Sequence, residues 1–181
     1  MFDSHERLGS GTFGDCFLGT KGGRPIAIKR MRIAFANEKG VKAFWKEVVT
    51  LSRIDHVNIV TLIGYVFDPC LLIVMEYVEG GMLSTFIRSQ DRGNQPSSQA
   101  AMRILVGTAR GMEYLHSREP MPVIHRDIKS DNILLTKDLE PRIADFGEAR
   151  ALAKEQSMTI VGTNGYTAPE VLRGQQYVVF S

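Results

Sequence analysis

Cysteine is scarce in this chain: two thiols, Cys16 and Cys70, in 181 residues. They form neither a C-x-x-C pair nor a metal-like cluster, which excludes a disulfide-stapled scaffold and a zinc module and points to a reducing compartment. An excess of charge of one sign is lacking too. With 22 basic against 20 acidic residues the formal net charge is +2, so no field recruits nucleic acid or an anionic membrane, and neither is expected as a partner. There is no uninterrupted apolar run of membrane-spanning length. The most apolar region, Ile59 to Val78, is broken by Asp68-Pro69 and carries Glu76 near its end, so two buried strands joined by a turn fit it better. Met1 to Glu6 is polar and acidic where a signal peptide needs a basic start and an apolar stretch. Repeats and low-complexity tracts are missing as well, and the cytoplasm is the expected location.

What is present is enough apolar residue, 44% of the chain, to bury a sizeable core and divide it between two lobes. From Arg7 to Met31 short apolar runs are broken by glycine, with Lys21-Gly22-Gly23-Arg24-Pro25 as a turn, which predicts consecutive antiparallel strands. Asn37 to Ile54 changes period: Val41, Phe44, Trp45, Val48 and Leu51 recur at helical spacing. Trp45 therefore reads as packing rather than recognition. Val60 to Tyr77 returns to strand composition and Gly80-Gly81 marks a boundary. Helical signals follow at Met82 to Ser89 and at Ser98 to His116, whose apolar positions are Ile104, Leu105, Ala109, Met112 and Leu115. Short strands around Ile133 to Ile143 come next. Strands first and helices second predict an α+β class.

Gly9-Ser10-Gly11-Thr12-Phe13-Gly14 matches G-x-G-x-x-G, whose missing side chains let backbone N–H groups approach phosphate oxygens. Alone it reads first as a glycine-rich turn with no ligand, and a dinucleotide-binding fingerprint is the rival functional reading. The dinucleotide reading requires a helix directly after the last glycine, whereas Asp15-Cys16-Phe17-Leu18-Gly19 reads as a strand. A nicotinamide-binding oxidoreductase is disfavoured for that reason. Lys29 stands in the apolar strand Ile26-Ala27-Ile28-Lys29, and Glu47 lies on the polar side of the helix that follows. A fixed ammonium of this kind can neutralise nucleotide phosphates.

The densest signal is His125-Arg126-Asp127-Ile128-Lys129-Ser130-Asp131-Asn132, followed by Asp145-Phe146-Gly147 and Ala168-Pro169-Glu170. Together with the glycine loop these occur in the order of the eukaryotic protein kinase family, which the chain resembles from Leu8 to Val171. The resemblance implies a bilobal fold: a β-rich antiparallel N-lobe with one long helix over 1–75, a hinge over 76–81 and a mainly helical, partial C-lobe over 82–181. It implies ATP and Mg2+ as cofactors. Asp127 is then the base that orients a substrate hydroxyl and accepts its proton, Asn132 and Asp145 are the magnesium ligands, and Lys29, held by Glu47, grips the α and β phosphates. The nucleotide-binding set is Leu8, Gly9, Ser10, Gly11, Thr12, Phe13, Gly14, Cys16, Ala27, Lys29, Met75, Glu76, Val78 and Leu134. Met75 matches the gate behind adenine, the Glu76 and Val78 backbones its hydrogen-bonding edge, and Ala27, Cys16 and Leu134 its enclosure. His125 matches an apolar spine position, a core residue rather than a proton shuttle.

Lys129, two residues after the base, and Thr163, which in such families contacts the catalytic aspartate, resemble the serine/threonine type. Phe44-Trp45-Lys46-Glu47-Val48 and Tyr114-Leu115-His116-Ser117-Arg118-Glu119-Pro120 resemble the tyrosine-kinase-like branch, which mostly phosphorylates serine and threonine. The implied partners are a protein substrate with a serine or threonine and an upstream kinase acting on Ser157 or Thr159, whose phosphate would pair with Arg126. The family continues into further helices after the segment matching Glu170-Val171-Leu172, so the expectation is a C-terminally incomplete domain, weakly active alone. The competing expectation is a catalytically impaired kinase fold serving as a nucleotide- or partner-binding scaffold.

Overall fold

The glycine-broken amino-terminal segment folds into three consecutive antiparallel strands in the computed structural model, which describes residues 3–11, 14–32, 38–68, 70–90, 96–151, 163 and 165–173. They are β1 (Asp3–Ser10), β2 (Gly14–Lys21) and β3 (Arg24–Met31). Lys21 pairs with Arg24 across a two-residue turn in which Gly22 and Gly23 have φ of 57° and 74°. Two positive φ angles in succession are what this tight hairpin needs, and glycine supplies them without strain. The sheet is completed by β4 (Leu62–Val66) and β5 (Leu72–Glu76) in the order β1-β2-β3-β5-β4.

Helix α1 (Glu38–Leu51) buries Phe44, Glu47, Val48 and Leu51. It stops three residues short of the expected Ile54, where Arg53 and Ile54 bond back to Thr50 and Leu51 in tight turns; Asn37, the expected start, lies outside the described residues. The Trp45 ring centroid is 5.2 Å from those of Tyr65 and Phe67, so Trp45 packs α1 against the sheet edge. Under the sheet Ile26, Ile28 and Val74 form a buried cluster.

The chain divides into two compact units. One comprises Met1–Asp55 and Val60–Val78 and holds the elements above; the other comprises His56–Ile59 and Glu79–Ser181. The boundary at Val78 falls just before Gly80-Gly81. In the second unit lie α2 (Leu83–Gln90), α3 (Ser98–His116), β6 (Val123–Ile124), a 3-10 turn (Ser130–Asn132), β7 (Ile133–Leu135), β8 (Pro141–Ile143), β9 (Arg150–Ala151) and α4 (Pro169–Leu172). β6 pairs with β9 and β7 with β8. The segment His56–Ile59 joins this unit through Asn58, whose amide Nδ2 donates to the Pro141 carbonyl at 3.1 Å while its carbonyl accepts from Ile143 N–H at 2.8 Å.

Ser97 caps α3 by accepting from Ala100 N–H at 3.1 Å. The buried face of α3 is Ile104, Gly107, Gly111 and Leu115. This corrects the expected stripe: Leu105 is 66% exposed. The two glycines bring the middle of the helix against Pro141, Asn58 and Ile143, so that face mixes close glycine contacts with the large apolar Ile104 and Leu115. The α+β class holds. No described helix is long and apolar enough to cross a membrane.

Candidate active site

In the first unit, strand register decides which side chains stand together. Cys16 is the cross-strand partner of Lys29, and Met75 that of Ala27. Directly opposed residues share a sheet face, as do residues two apart on one strand. Cys16, Ala27, Lys29 and Met75 therefore occupy one face, with Ala27 and Met75 buried. Lys29 Nζ donates to both Glu47 oxygens, at 2.7 and 2.9 Å. Glu47 is not on a polar helix face, as its neighbours in sequence suggest, but is 1% exposed among Phe44, Val48 and Leu51. A carboxylate so buried is tolerated because Lys29 pairs with it.

The glycine motif bridges β1 and β2. Leu8 and Gly9 are half-buried in β1, Ser10 is exposed at its end, and Gly11 N–H closes the turn on Gly14 O at 2.8 Å. Thr12 and Phe13 lie outside the described residues. A Cβ on Gly14 would collide with the Arg30 carbonyl, so this glycine is required by the close approach of β3. Beside it Asp15 accepts from Arg7 at 2.6 Å and from Arg32 at 2.7 Å, and Arg32 also donates to Ser10. The Arg32 and Arg7 guanidinium groups hold the Asp15 carboxyl well below the usual carboxylate range. Glu76 N–H donates to Thr61 O at 3.0 Å, and Val78 is buried at the end of this unit.

In the second unit Asp127 is the centre of a hydrogen-bonded group. Its Oδ1 accepts from Thr163 Oγ1 at 2.6 Å, and its Oδ2 accepts from Asn132 Nδ2 at 2.9 Å and lies 2.9 Å from Lys129 Nζ. Lys129 also donates to Thr163 Oγ1 at 2.8 Å. Burial pushes the Asp127 carboxyl up, but the Thr163 hydroxyl, the Lys129 ammonium and the Asn132 amide together outweigh it and hold the group below its ordinary value. Asn132 Nδ2 also donates to the Asp127 carbonyl at 2.8 Å, so both amide hydrogens point at Asp127 and the amide oxygen is the atom left for a cation. Ala144 N–H donates to Asn132 O at 2.8 Å, which sets Asp145 one residue from that contact. Asp145 and Arg126 have φ of 63° and 67°, conformations costly for non-glycine residues and typical of functional sites. Leu134 forms a bridge with Met82.

His125 is fully buried, bonds the Ala144 carbonyl through Nε2 at 3.0 Å and meets Phe146 edge-on at 4.8 Å. It is a core residue, as the resemblance implies. Arg126 donates through Nε to Glu148 O at 2.7 Å, and its Nη2 lies 3.7 Å from the Glu148 carboxylate. Its Nη1 is buried and has no hydrogen-bond partner among the described residues. Ser157 and Thr159 lie outside the described residues. Three contacts have no signal in the sequence: Ser84 to Asp131 at 2.8 Å, Tyr166 to Ser130 at 3.2 Å, and the Glu148 contact just given. Each joins residues at least 22 positions apart, and none belongs to a motif pairing.

The family model of the protein kinase domain matches residues 2–180. The chain belongs to that family. Similar curated proteins include cysteine-rich receptor-like protein kinase 2 of Arabidopsis thaliana, 42% identical over 94% of this chain and 27% of that protein. Cysteine-rich receptor-like protein kinase 42 of the same plant is 40% identical over 96% of this chain and 27% of its own length. LysM domain receptor-like kinase 10 of Oryza sativa subsp. japonica is 37% identical over 96% and 29%. The kinase-family chain described here thus spans just over a quarter of the length of these relatives.

Proposed function

We propose that this chain carries an ATP-dependent protein serine/threonine kinase, which transfers the γ-phosphate of Mg-ATP to a hydroxyl of a protein substrate. The observation that carries the reading is Asp127, an ionised carboxylate fixed by Thr163, Lys129 and Asn132. Its lowered pKa keeps it ionised and so able to accept a hydrogen bond. It accepts a hydrogen bond from the substrate hydroxyl, aims that oxygen at the γ-phosphorus and takes the proton as the new P–O bond forms and the bond to the β-phosphate oxygen breaks, releasing ADP.

Lys129, shared between Asp127 and Thr163, adds positive charge where the transferred phosphoryl group gains negative charge. It is also the feature that favours serine and threonine over tyrosine. Lys29, aimed by Glu47, takes the α and β phosphates. The Glu76 N–H is engaged by Thr61, so its contact to adenine falls to the carbonyl oxygen. The Asn132 amide oxygen and the Asp145 carboxylate are hard oxygen donors of the kind Mg2+ prefers, with phosphate and water completing the shell. Mg2+ held by these two residues would supply positive charge to offset that of the phosphates. Arg126, whose buried Nη1 has no hydrogen-bond partner among the described residues, supports activation by an upstream kinase at Ser157 or Thr159.

The test is transfer of the γ-phosphate to a generic serine/threonine protein substrate, comparing the parent with Asp127→Asn. Transfer that the substitution abolishes is the expected result. Nucleotide binding without transfer in the parent would overturn it in favour of a scaffold.

A further inference from the structure

Ser84 lies in the first turn of α2, 5% exposed, and carries a hydroxyl that a buried site has to satisfy. It donates to Asp131 Oδ1 at 2.8 Å. Arg88, one turn further on, lies 3.5 Å from the same hydroxyl, and the amino-terminal end of α2 adds the positive end of a helix dipole beside the carboxylate. Asp131 is the middle residue of the 3-10 turn Ser130–Asn132, which is closed by Asn132 N–H to Lys129 O at 2.9 Å. The next residue is Asn132, whose amide donates both hydrogens to Asp127. One buried hydroxyl on a helix is thus tied to the turn that carries Asn132, while Tyr166 bonds Ser130 at the start of the same turn.

We propose that Ser84 is a positioning residue for phosphoryl transfer: by holding Asp131 it fixes the 3-10 turn and so the direction in which Asn132 presents its amide oxygen. Asn132 cannot keep two hydrogens on Asp127 if the turn rotates, because its side chain is too short to follow. The inference rests on the proposed kinase reading for its catalytic consequence, not for its structural one.

Three variants test it: Ser84→Ala removes the donor, Ser84→Thr restores it and Asp131→Ala removes the acceptor. Amide hydrogen exchange in the ligand-free protein is expected to quicken on the order of ten-fold at Ser130 to Ile133 in Ser84→Ala and Asp131→Ala, the equivalent of losing one charge-assisted hydrogen bond. It should stay near the parent rate in Ser84→Thr. The Mg2+ concentration for half-maximal phosphate transfer should rise on the order of ten-fold in the same two variants, and the double variant should be no worse than Asp131→Ala alone. A purely structural Ser84 would lower the active fraction without moving the Mg2+ midpoint. Unchanged exchange at Asn132, or an unmoved Mg2+ midpoint with exchange altered evenly throughout, overturns the proposal. If the parent transfers no phosphate, the kinase reading falls while the exchange comparison still decides the latch.

Discussion

Removing either half of the Lys29–Glu47 pair should cost far more stability than removing both. The two Nζ···O distances are 2.7 and 2.9 Å, and the side chains are 9% and 1% exposed. At 2.7 Å and an effective dielectric constant of about 20, the Coulomb attraction is roughly 6 kcal/mol. Much of that offsets the desolvation of two ions. In Lys29→Met the attraction disappears and the desolvation of Glu47 remains, and the reverse holds for Glu47→Leu. Each single variant is therefore expected to lose about 3 to 5 kcal/mol, a large part of a typical domain stability of about 5 to 15 kcal/mol.

The double variant Lys29→Met/Glu47→Leu replaces both charges by apolar groups among Phe44, Val48 and Leu51 and should return to within about 1 to 2 kcal/mol of the parent. Urea unfolding of the four proteins measures this cycle. A functional readout runs opposite to the stability readout: nucleotide affinity should stay low in the double variant, because the ammonium proposed to take the phosphates is gone. The reasoning is refuted if Lys29→Met is as stable as the parent, or if the double variant loses the sum of the two singles.

Thr163→Val removes the foremost group that lowers the Asp127 carboxyl, leaving burial less opposed, so its pKa rises. Because the proposed base would work ionised, the acid limb of kcat/KM should move to higher pH; a limb that stays in place or moves down contradicts the proposal. Asp15 has its folded pKa lowered by Arg32 and Arg7, so it contributes stability above the unfolded value of about 3.9. That contribution is lost as pH falls through the folded value. Melting temperatures of the parent and Asp15→Asn should therefore differ at neutral pH, more at low than at high salt, with the difference beginning to shrink below about pH 4 and vanishing only as pH falls through the folded value. Gly107→Ala ordinarily favours a helix by about 1 kcal/mol, but here the new Cβ would stand 2.5 Å from Pro141 and 2.9 Å from Asn58 Nδ2. A net loss of about 1 to 3 kcal/mol is expected from overpacking, and a higher urea midpoint would refute it.

The parts of the site legible in the sequence are those where one residue type at one spacing has a single chemical use. The order of glycine loop, lysine, His-Arg-Asp and Asp-Phe-Gly carried the family, glycine-broken apolar runs carried the consecutive antiparallel strands of the amino-terminal segment, and helical signals carried α3 with its bounds. What escaped has a common cause. Glu47 reads as polar because its neighbours Lys46 and Lys42 are, yet its burial depends on a lysine 18 positions earlier, on strand β3. Leu105 reads as core by hydrophobicity, yet α3 packs through Gly107 and Gly111 because only hydrogen atoms fit against Pro141 and Ile143.

Ser84 belongs to the same class: a serine in a first helical turn is ordinary by sequence, and its meaning arises only when Asp131, 47 positions later, is folded against it. Periodicity reports the mean environment of an element and is blind to a pair. The motif residues Asp127, Asn132 and Lys129 could be recognised one by one, while the groups that orient them, Thr163 excepted, are polar residues of common types at unremarked positions. Substituting a recognised residue tests whether the chemistry occurs; substituting Ser84 tests how the chemistry is held in place. The second question is one that only tertiary contacts pose.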